Sequence, residues 1–428
     1  MNELDRIRLE EFRQLREEIR GSKDYLIVGI DVAKQKHTAF FGTATGKTLF
    51  RRLVFENSRE GFERLLTQVE AMMVQHGLDK VVFGLEPTGN YHKPLGQYLI
   101  GCGYGVVLVS GKSVKKNRAL LDGRWDKHDA KDSANVADLI SQGKCLYYEY
   151  PAMSLRQLRS LLSLKRRLKK QEHGQKVRIR NHLVAQYFPE FDPYFSPSEP
   201  QSLAIVKWCS APSVIAGLEY DEFVRLVAPG KKSTAQQSRL RAIWQKASLS
   251  IGCEAGQAVA FEAKLMVEGL KQIRGALADT EAKIKGICLG FPEYPYLLTI
   301  PGFGPDISSK VLGAIGDPFR FNRANQVLKT AGLDLTANRS GNRCDGVVPV
   351  ISKNGKSDLR YALYQAALIA SIRNRDFVVW FTNKLRGRQR EKGIKTKMRV
   401  KLCAKLLVIA WSLMKKKEPF NPDYLKTE

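Results

Sequence analysis

Four carboxylates in the first third of the chain have the types and positions that a divalent-metal site needs. Asp31 ends the apolar run "YLIVGID", and Glu86 ends the run "VVFGLE". Asp129 and Asp132, in "DKHDAKDSANVAD", are three residues apart, and residues at that spacing share one face of a helix. Mg²⁺ prefers hard oxygen ligands in octahedral geometry, and two such ions about 4 Å apart can clamp a phosphodiester. The pattern predicts a magnesium site that acts on nucleic acid.

A structural role for the same acids is the alternative. Acids at strand ends are often solvated, and an acidic pair in a lysine-rich segment can form salt bridges or cap a helix. Asp126 lies three residues before Asp129, so the helical pair could also shift by one turn. The occurrence of four such acids within one alternating strand and helix pattern favours the metal site.

Ser340, in "ANRSGNRCDG", is a candidate nucleophile. All six histidines lie in the first half of the chain, so the C-terminal half has no imidazole for a Ser-His-Asp arrangement of its own. A hydroxyl can attack a phosphodiester without histidine if the site orients it and stabilises charge on the phosphate oxygens. Cations suited to brace those oxygens lie nearby: Arg339, Arg343, Lys353 and Arg360. An ordinary Ser-Gly turn is the structural alternative.

The composition indicates a polyanionic partner. The 428 residues carry 70 Lys and Arg against 43 Asp and Glu, a formal charge of +27, and so large a surplus costs self-repulsion unless anions offset it. No window approaches the roughly 20 apolar residues of a membrane span, and the charged N-terminus lacks the core of a signal peptide. The seven cysteines show no CxxC spacing, which indicates a reducing cytoplasm without disulfides or a zinc site.

Two basic runs are candidates for nucleic-acid binding. Residues 154–184 contain ten Lys and Arg against one acid, and residues 384–417 contain thirteen against one Glu. Such runs are usually solvated faces, but several phosphate contacts would make binding fall steeply with salt. The candidate phosphate-binding residues of the first run are Lys165, Arg166, Arg167, Lys169 and Lys170.

The pattern of elements predicts an α/β domain followed by largely helical regions. Leu158, Leu161, Leu164 and Leu168 share one face of a long helix, and "FPEFDPYFSPSEP" breaks it. The "PGFG" segment predicts a tight turn between two helices, like a helix-hairpin-helix element. We expect an N-terminal helix at 1–23, an α/β domain at 24–150, a coiled-coil region at 151–292 with an insert at about 189–250, and a mostly α domain at 293–428 with a basic tail.

Segments at both ends of the chain resemble the "one-ten" family of bacterial insertion-sequence transposases. "VGIDVAKQKH", "GLEPTGNYH" and "DKHDAKDSANVADL" are similar to that family's N-terminal domain. "LLTIPGFGP", "IGDPFRF", "TAGLDL", "RSGNR" and "ISKNGKSDLRYAL" are similar to its C-terminal transposase domain, in the same order. The resemblance implies an N-terminal fold like that of the Holliday-junction resolvase RuvC, which is RNase H-like.

On this resemblance Asp31, Glu86, Asp129 and Asp132 match the family's Asp-Glu-Asp-Asp tetrad, which binds Mg²⁺. Ser340 matches its catalytic serine, with Ser352 and Ser357 as alternatives. The implied activity is RNA-guided recombination of donor and target double-stranded DNA in the bacterial cytoplasm through a serine-linked intermediate. A structured bridge RNA would be the guide, and the middle helices would join copies into a dimer, with a tetramer expected when active. We expect the metal site of a partner domain to complete the serine centre.

Two rival interpretations remain at this point. A Mg²⁺-dependent endonuclease specific for DNA junctions could use the tetrad alone, with a structural serine. A non-catalytic nucleic-acid-binding scaffold could use the acids only to hold its fold. Loss of activity on removal of Mg²⁺ would exclude the scaffold, and a joint requirement for Ser340 and the tetrad would exclude the endonuclease.

Overall fold

The computed structural model describes residues 3–122, 129–208, 210–336 and 350–425. The chain divides into two compact units, residues 1–152 and 153–428. The first unit is a mixed α/β domain, and the second is almost entirely helical. The α/β class expected for the N-terminal region is confirmed, as is the helical class of the rest. Within the described ranges no helix has the length and hydropathy needed to cross a lipid bilayer.

A six-stranded mixed sheet forms the centre of the first unit. Its strands are β1 (Tyr25–Asp31), β2 (Lys36–Thr43), β3 (Thr48–Glu56), β4 (Lys80–Leu85), β5 (Gly105–Leu108) and β6 (Leu146–Tyr147). The spatial order is β3-β2-β1-β4-β5-β6. β1, β4 and β5 are parallel to one another, whereas the outer strands pair antiparallel. The parallel centre brings the carboxyl ends of β1, β4 and β5 to one edge.

Helices cover both faces of this sheet. They are α1 (Glu3–Glu18), α2 (Arg59–His76), α3 (His92–Gly101), α4 (Gly111–Asp122) and α5 (Asp129–Ser141). α2 and α3 pack on one face, and α1 and α5 pack on the other. Side chains of β1 alternate between the two cores, with Val28 in the first and Ile27 in the second. Burial on both faces explains why β1 is a continuous apolar run.

Two glycines let α5 lie directly against the central strands. A Cβ added at Gly29 of β1 would lie 2.2 Å from the carbonyl oxygen of Ser133. A Cβ at Gly84 of β4 would lie 1.9 Å from Cδ1 of Ile140. Gly29 and Gly84 are partners in the parallel β1–β4 register. The absence of side chains at these two positions sets the distance between α5 and the sheet.

The second unit begins with two long helices joined through a helical insert. The helices are α6 (Met153–Arg178), α7 (Ala185–Tyr187), α8 (Pro200–Trp208), α9 (Pro212–Ala216), α10 (Tyr220–Val227), α11 (Thr234–Ala247) and α12 (Gln257–Leu289). A π-helical turn follows α6 directly, and a 3-10 turn spans Pro189–Tyr194. α6 and α12 run antiparallel, because Lys165 pairs with Glu281 and Glu172 pairs with Arg274.

Glu172 is a buried charge between these two helices. Its carboxylate accepts hydrogen bonds from Lys169 and Lys176 and pairs with Arg274. Burial alone would raise the pKa of this carboxyl, but the lysine contacts outweigh burial and hold the pKa at about 2. The cluster therefore fixes the register of α6 against α12 while it leaves no unpaired buried charge.

The insert at 189–250 has a hydrophobic core of its own. Phe191, Phe223, Leu240 and Ile243 are buried together, and Val267 of α12 contributes to the same core. The insert helices are short, and each supplies only a few buried residues, so their periodicity is weak in the sequence. The region that matched no recognisable pattern is thus an ordered helical subdomain.

The C-terminal part of the second unit surrounds a separate core. It contains α13 (Tyr294–Leu298), α14 (Pro305–Ile315), α15 (Ala324–Ala331), β7 (Leu335–Thr336), β8 (Val350–Ile351), α16 (Ser357–Arg373), α17 (Arg375–Leu385) and α18 (Ile394–Lys416). Val311, Leu363, Leu406 and Leu413 are fully buried within it. The mostly helical character expected for residues 293–428 is confirmed by these elements.

The close packing at Gly29 predicts the effect of a single methyl group. Gly29→Ala should weaken the first unit by about 1–3 kcal/mol or more, because the added Cβ overlaps the α5 backbone. Hydrogen exchange of the β1 amides, followed by mass spectrometry, measures the change. Gly101→Ala is the matched control, since nothing lies within 4 Å of a Cβ there. Equal protection of β1 in both variants would contradict the packing.

Candidate active site

Asp31 and Glu86 lie at one edge of the sheet, at the ends of two neighbouring strands. β1 and β4 are parallel, and Ile30 pairs with Leu85, so the two acids that follow are adjacent. The backbone amide of Glu86 also donates to the carbonyl of Ile30, over 3.4 Å. A Cβ at Gly111 would lie 2.8 Å from Oε1 of Glu86, so this carboxylate lies against the first residue of α4. The positive end of a helix dipole stabilises a carboxylate in such a position.

Asp132 is held by a single arginine from α4. The residue is 2% exposed, and its Oδ1 accepts from Nε of Arg118 at 2.8 Å and from Nη2 at 2.7 Å. A buried carboxylate is costly unless it is paired, and Arg118 supplies that pairing. Both of these contacts go to Oδ1, so Arg118 orients the carboxylate through that oxygen.

A buried polar network joins α4 to α5 beside this ion pair. The side-chain amide of Asn117 donates to Oδ1 of Asn135 at 2.8 Å and to Oδ2 of Asp138 at 2.6 Å. Asn135 in turn donates to the carbonyl of Val114 at 2.7 Å, and Gln142 donates to Asp138 at 2.8 Å. Buried amides that satisfy one another define one geometry for the two helices. The network therefore fixes the position of the helix that carries Asp132.

Sequence reasoning missed both Arg118 and the Asn117 network. α4 has few apolar residues at helical spacing, because its inner face is polar. The one signal in the sequence was the concentration of amide and charged residues in "VKKNR" shortly before the helical acids. Periodicity of apolar residues does not detect a helix that packs through hydrogen bonds.

The acids at this edge have the chemistry that Mg²⁺ requires. Asp31, Glu86 and Asp132 are hard oxygen donors, and α5 places Ser133, the neighbour of Asp132, over Gly29, two residues before Asp31. Among the described side chains no group of three His, Cys, Asp or Glu is arranged to hold a metal ion. Asp129 is the first residue of α5, and its side chain lies outside the described residues. The donor set therefore fits a magnesium ion in the type of its oxygen ligands, whereas the described side chains are not assembled into a three-ligand group.

The candidate nucleophile Ser340 lies outside the described residues, as do Arg339 and Arg343. The chain on either side of them is described: β7 and β8 pair antiparallel, with Leu335 opposite Ile351 and Thr336 opposite Val350. The described residues on either side of the segment 337–349 therefore lie next to each other.

Next to this strand pair, the residues that precede β7 and the residues that follow β8 are held close together. The amide of Ser352 donates to the carbonyl of Asp334 at 2.8 Å, and its hydroxyl donates to Oδ1 of the same residue at 2.6 Å. A Cβ at Gly355 would lie 2.2 Å from the backbone nitrogen of Gly332. Gly332 has φ +64°, and Lys353 has φ +55°, a conformation that L residues other than glycine rarely adopt. We call the Asp334–Ser352 contact the stem clasp.

The remaining serine and cation candidates are placed as follows. Ser357 is the first residue of α16. Nη1 of Arg360 donates to the carbonyl of Ala331 at 2.8 Å, so Arg360 supports the segment before β7. The exposed residue Lys353 follows Ser352 directly. The structure brings Ser352, Lys353 and Arg360 together around the stem clasp.

Several cations of α6 were expected to bind phosphate. In the structure they form ion pairs with acids of the same unit. Lys165 pairs with Glu281 at 2.9 Å and with Asp306 at 2.5 Å. Arg166 pairs with Asp358 at 3.1 Å, and Lys169 pairs with Glu172 at 3.3 Å. Arg167 and Lys170 are exposed and form no ion pair within the part of the chain that the structure describes.

Comparison with protein families finds two matches on this chain. A model for the DEDD transposase domain of IS110 elements matches residues 28–189. A model for transposases of the IS116/IS110/IS902 family matches residues 294–378. A curated relative, the uncharacterized 44.8 kDa protein of insertion element IS116 from Streptomyces clavuligerus, is 21% identical over 407 residues. The alignment spans 93% of this chain and 97% of the relative, and the two family models together cover more than half of the chain.

Replacement of Arg118 tests the pairing of Asp132. Arg118→Met should lower the free energy of unfolding by about 3 kcal/mol, because it leaves a buried carboxylate without a partner. Denaturant unfolding measures the loss, and Lys116→Met, at an exposed position of the same helix, is the control. The double variant Arg118→Met, Asp132→Asn should regain most of the lost stability. If the double variant were as unstable as the single one, the ion pair would not be the cause.

Replacement of Ser352 tests the stem clasp. Ser352→Ala removes the donor to Asp334 and should cost about 1.5–3 kcal/mol locally, as for other hydrogen bonds to charged groups. Faster hydrogen exchange of the amides in 350–356 would report this destabilisation. Ser352→Thr keeps the hydroxyl and should retain slow exchange. Unchanged exchange in the alanine variant would show that the clasp does not hold the stem.

Proposed function

Because the chain belongs to the IS116/IS110/IS902 family of insertion-sequence transposases, we propose that it cuts and rejoins DNA through a serine-linked intermediate. The observation that carries the proposal is the placement of two acids at adjacent strand ends. Asp31 and Glu86 lie on adjacent parallel strand ends, and the helix that carries Asp132 packs across the same strands. Carboxylates at such positions can hold metal ions that stabilise the charge of a phosphodiester.

The proposed chemistry is a transesterification that needs no external energy source. The hydroxyl of Ser340 attacks phosphorus, an Oγ–P bond forms, and one P–O bond to deoxyribose breaks. The serine proton passes to a carboxylate or to water, and the leaving deoxyribose oxygen takes up a proton. A hydroxyl of the second DNA then attacks the phosphoserine, which restores the serine and joins the new strand. Arg339 and Arg343 are proposed to brace the phosphate oxygens.

Asp31, Glu86, Asp129 and Asp132 are proposed to hold Mg²⁺. When bound, the ion would stabilise negative charge that develops on the phosphate oxygens. Arg118 then has a positioning role, because it fixes Asp132 through Oδ1. We propose that the carboxylates and Ser340 serve one reaction, so that removal of either stops strand exchange.

The partners are proposed from the family and from the charge of the chain. Donor and target duplex DNA follow from the family, and a net charge of +27 suits them. A structured guide RNA is proposed from the family resemblance alone. The antiparallel α6–α12 pair is proposed as a coiled-coil arm that joins copies into a dimer or tetramer, and the α13–α14 pair as a helix-hairpin-helix-like DNA contact. A cytoplasmic location in bacteria is proposed from the substrate.

A denaturing gel tests the proposed reaction directly. Purified protein, Mg²⁺, the element's RNA and end-labelled DNA that spans the element junction are mixed, denatured and separated. Wild type should yield a labelled protein–DNA adduct, and Ser340→Ala should yield none. Asp31→Asn and excess EDTA should lower the adduct by at least about a hundredfold, as expected when charge stabilisation at the phosphate is removed.

The parallel serine variants decide which hydroxyl attacks. Ser352→Ala and Ser357→Ala should still form the adduct, although the first should do so more slowly because the stem clasp is missing. If the adduct were absent only in Ser352→Ala, the nucleophile would be Ser352, and Asp334 would act as its base. Cleaved DNA without any adduct, unaffected by Ser340→Ala, would instead make the protein a Mg²⁺-dependent endonuclease. No reaction in any variant, with DNA still bound, would favour a scaffold.

A further inference from the structure

We infer that residues 384–397, which comprise the end of α17, the turn that follows it and the first residues of α18, form the surface that binds the phosphate backbone of duplex DNA beside the reacting strands. We call this segment the basic tip. The inference rests on the proposed function, because it locates the DNA on the domain that carries the serine segment. It assigns the contact to a small set of side chains rather than to the whole basic tail.

The basic tip carries exposed cations that form no ion pair within the described fold. Arg386, Arg390, Lys392, Lys395 and Lys397 are all exposed. None of the five forms an ion pair with any residue that the structure describes. Glu391 is the single acid in the segment. Five positive charges in twelve consecutive positions repel one another, and an external polyanion relieves that repulsion.

The single acid of the tip is engaged by one arginine. Nε and Nη2 of Arg388 donate to Oε1 and Oε2 of Glu391, each at 2.8 Å. This two-point contact satisfies the carboxylate, and the additional Coulomb attraction of Lys397 to Glu391 is weaker than the contact with Arg388. Arg388 is thus a tip cation whose charge is already offset within the fold.

The basic run of α6 contrasts with the tip. Lys165, Arg166, Lys169 and Lys176 are each in an ion pair with an acid of the same unit. A phosphate that approached these α6 cations would have to compete with the acid that each cation already contacts. The sequence makes α6 look the stronger candidate, but the fold leaves the tip with the larger unneutralised charge.

The tip is anchored rather than a free tail. Phe381, Ile394 and Met398 form a small buried cluster at its base, and the guanidinium of Arg399 lies over the ring of Phe381 at 5.6 Å. Gly387 and Gly393 have φ values of +76° and +75°, which permit the tight changes of direction at both ends of the turn. A fixed set of cations loses less entropy on binding than a flexible tail.

Duplex DNA is the occupant that this surface fits. It carries one negative charge for every 1.7 Å or so of its axis, so five clustered cations can each reach a phosphate. Apart from two glycines, the exposed residues of the tip are all polar or charged, whereas the centre of a protein-binding surface is depleted of charge. α16, which follows β8 and the serine segment directly, packs against both α17 and α18. DNA bound to the tip would therefore lie on the domain where strand attack is proposed.

The salt dependence of DNA binding tests the assignment. The triple variant Arg386→Gln, Arg390→Gln, Lys392→Gln should reduce the slope of log K against log salt by about 0.9 for each phosphate that is no longer neutralised, thus by about 2–3. Fluorescence anisotropy with a labelled duplex between about 50 and 300 mM salt measures the slope for the full-length protein. The control is Lys271→Gln, Lys283→Gln, Lys285→Gln on α12, which removes the same charge from exposed positions and should leave the slope nearly unchanged.

A second variant should strengthen binding, which misfolding cannot mimic. Glu391→Gln removes the carboxylate and releases Arg388, so the tip gains one available cation. The slope should then become steeper by about 0.9, and affinity at about 100 mM salt should rise several-fold. A weaker or unchanged affinity in Glu391→Gln would overturn the assignment.

The remaining outcomes separate this inference from the proposed function. If the tip triple and the α12 triple reduce the slope equally, only net charge matters and the tip is not a binding surface. If the tip triple weakens binding of the guide RNA but not of the duplex, the occupant is RNA and the inference is wrong. At saturating DNA the tip triple should still form the Ser340 adduct. Absence of the adduct in wild type would defeat the proposed function but would leave the salt slopes interpretable.

Discussion

The contact of α5 with the two central strands is the constraint on which the candidate site depends. Gly29 and Gly84 face each other in the parallel register, and neither position has room for a Cβ beneath α5. The helix therefore lies as close to the sheet as backbone atoms permit. The same strands end in Asp31 and Glu86, so one packing contact determines where Asp132 lies relative to both.

Polar contacts then fix the side-chain orientations and helix positions that close packing alone does not determine. Arg118 orients Asp132 through one oxygen, and the Asn117 network sets the helix that supplies Arg118. In the second unit the stem clasp is likewise a hydrogen bond to a carboxylate, from the hydroxyl of Ser352 to Asp334. In each case a short hydrogen bond to a carboxylate joins two segments that are distant in sequence. Such contacts are expensive to break, because they leave a polar group without its partner.

Charge in this protein is distributed less evenly than its sequence suggests. The α6 run contributes many of the positive residues, yet acids of α12, α14 and α16 pair with several of them. Those pairs hold helices together within the second unit. The turn between α17 and α18 leaves five cations without such partners among the described residues, so they remain exposed to solvent. A count of basic residues therefore does not show which cations remain available to a polyanion, whereas the ion pairs of the fold do.

The sequence by itself determined the α/β class, the family, the positions of Asp31 and Glu86 at strand ends, and long helices such as α6. These follow from local periodicity and from motifs that are read within a few residues. Only the tertiary structure decided that Arg118 holds Asp132, that the insert at 189–250 is an ordered subdomain, and which cations are neutralised. Each of these depends on contacts between residues far apart in the chain, and no local pattern encodes which distant partner a side chain meets.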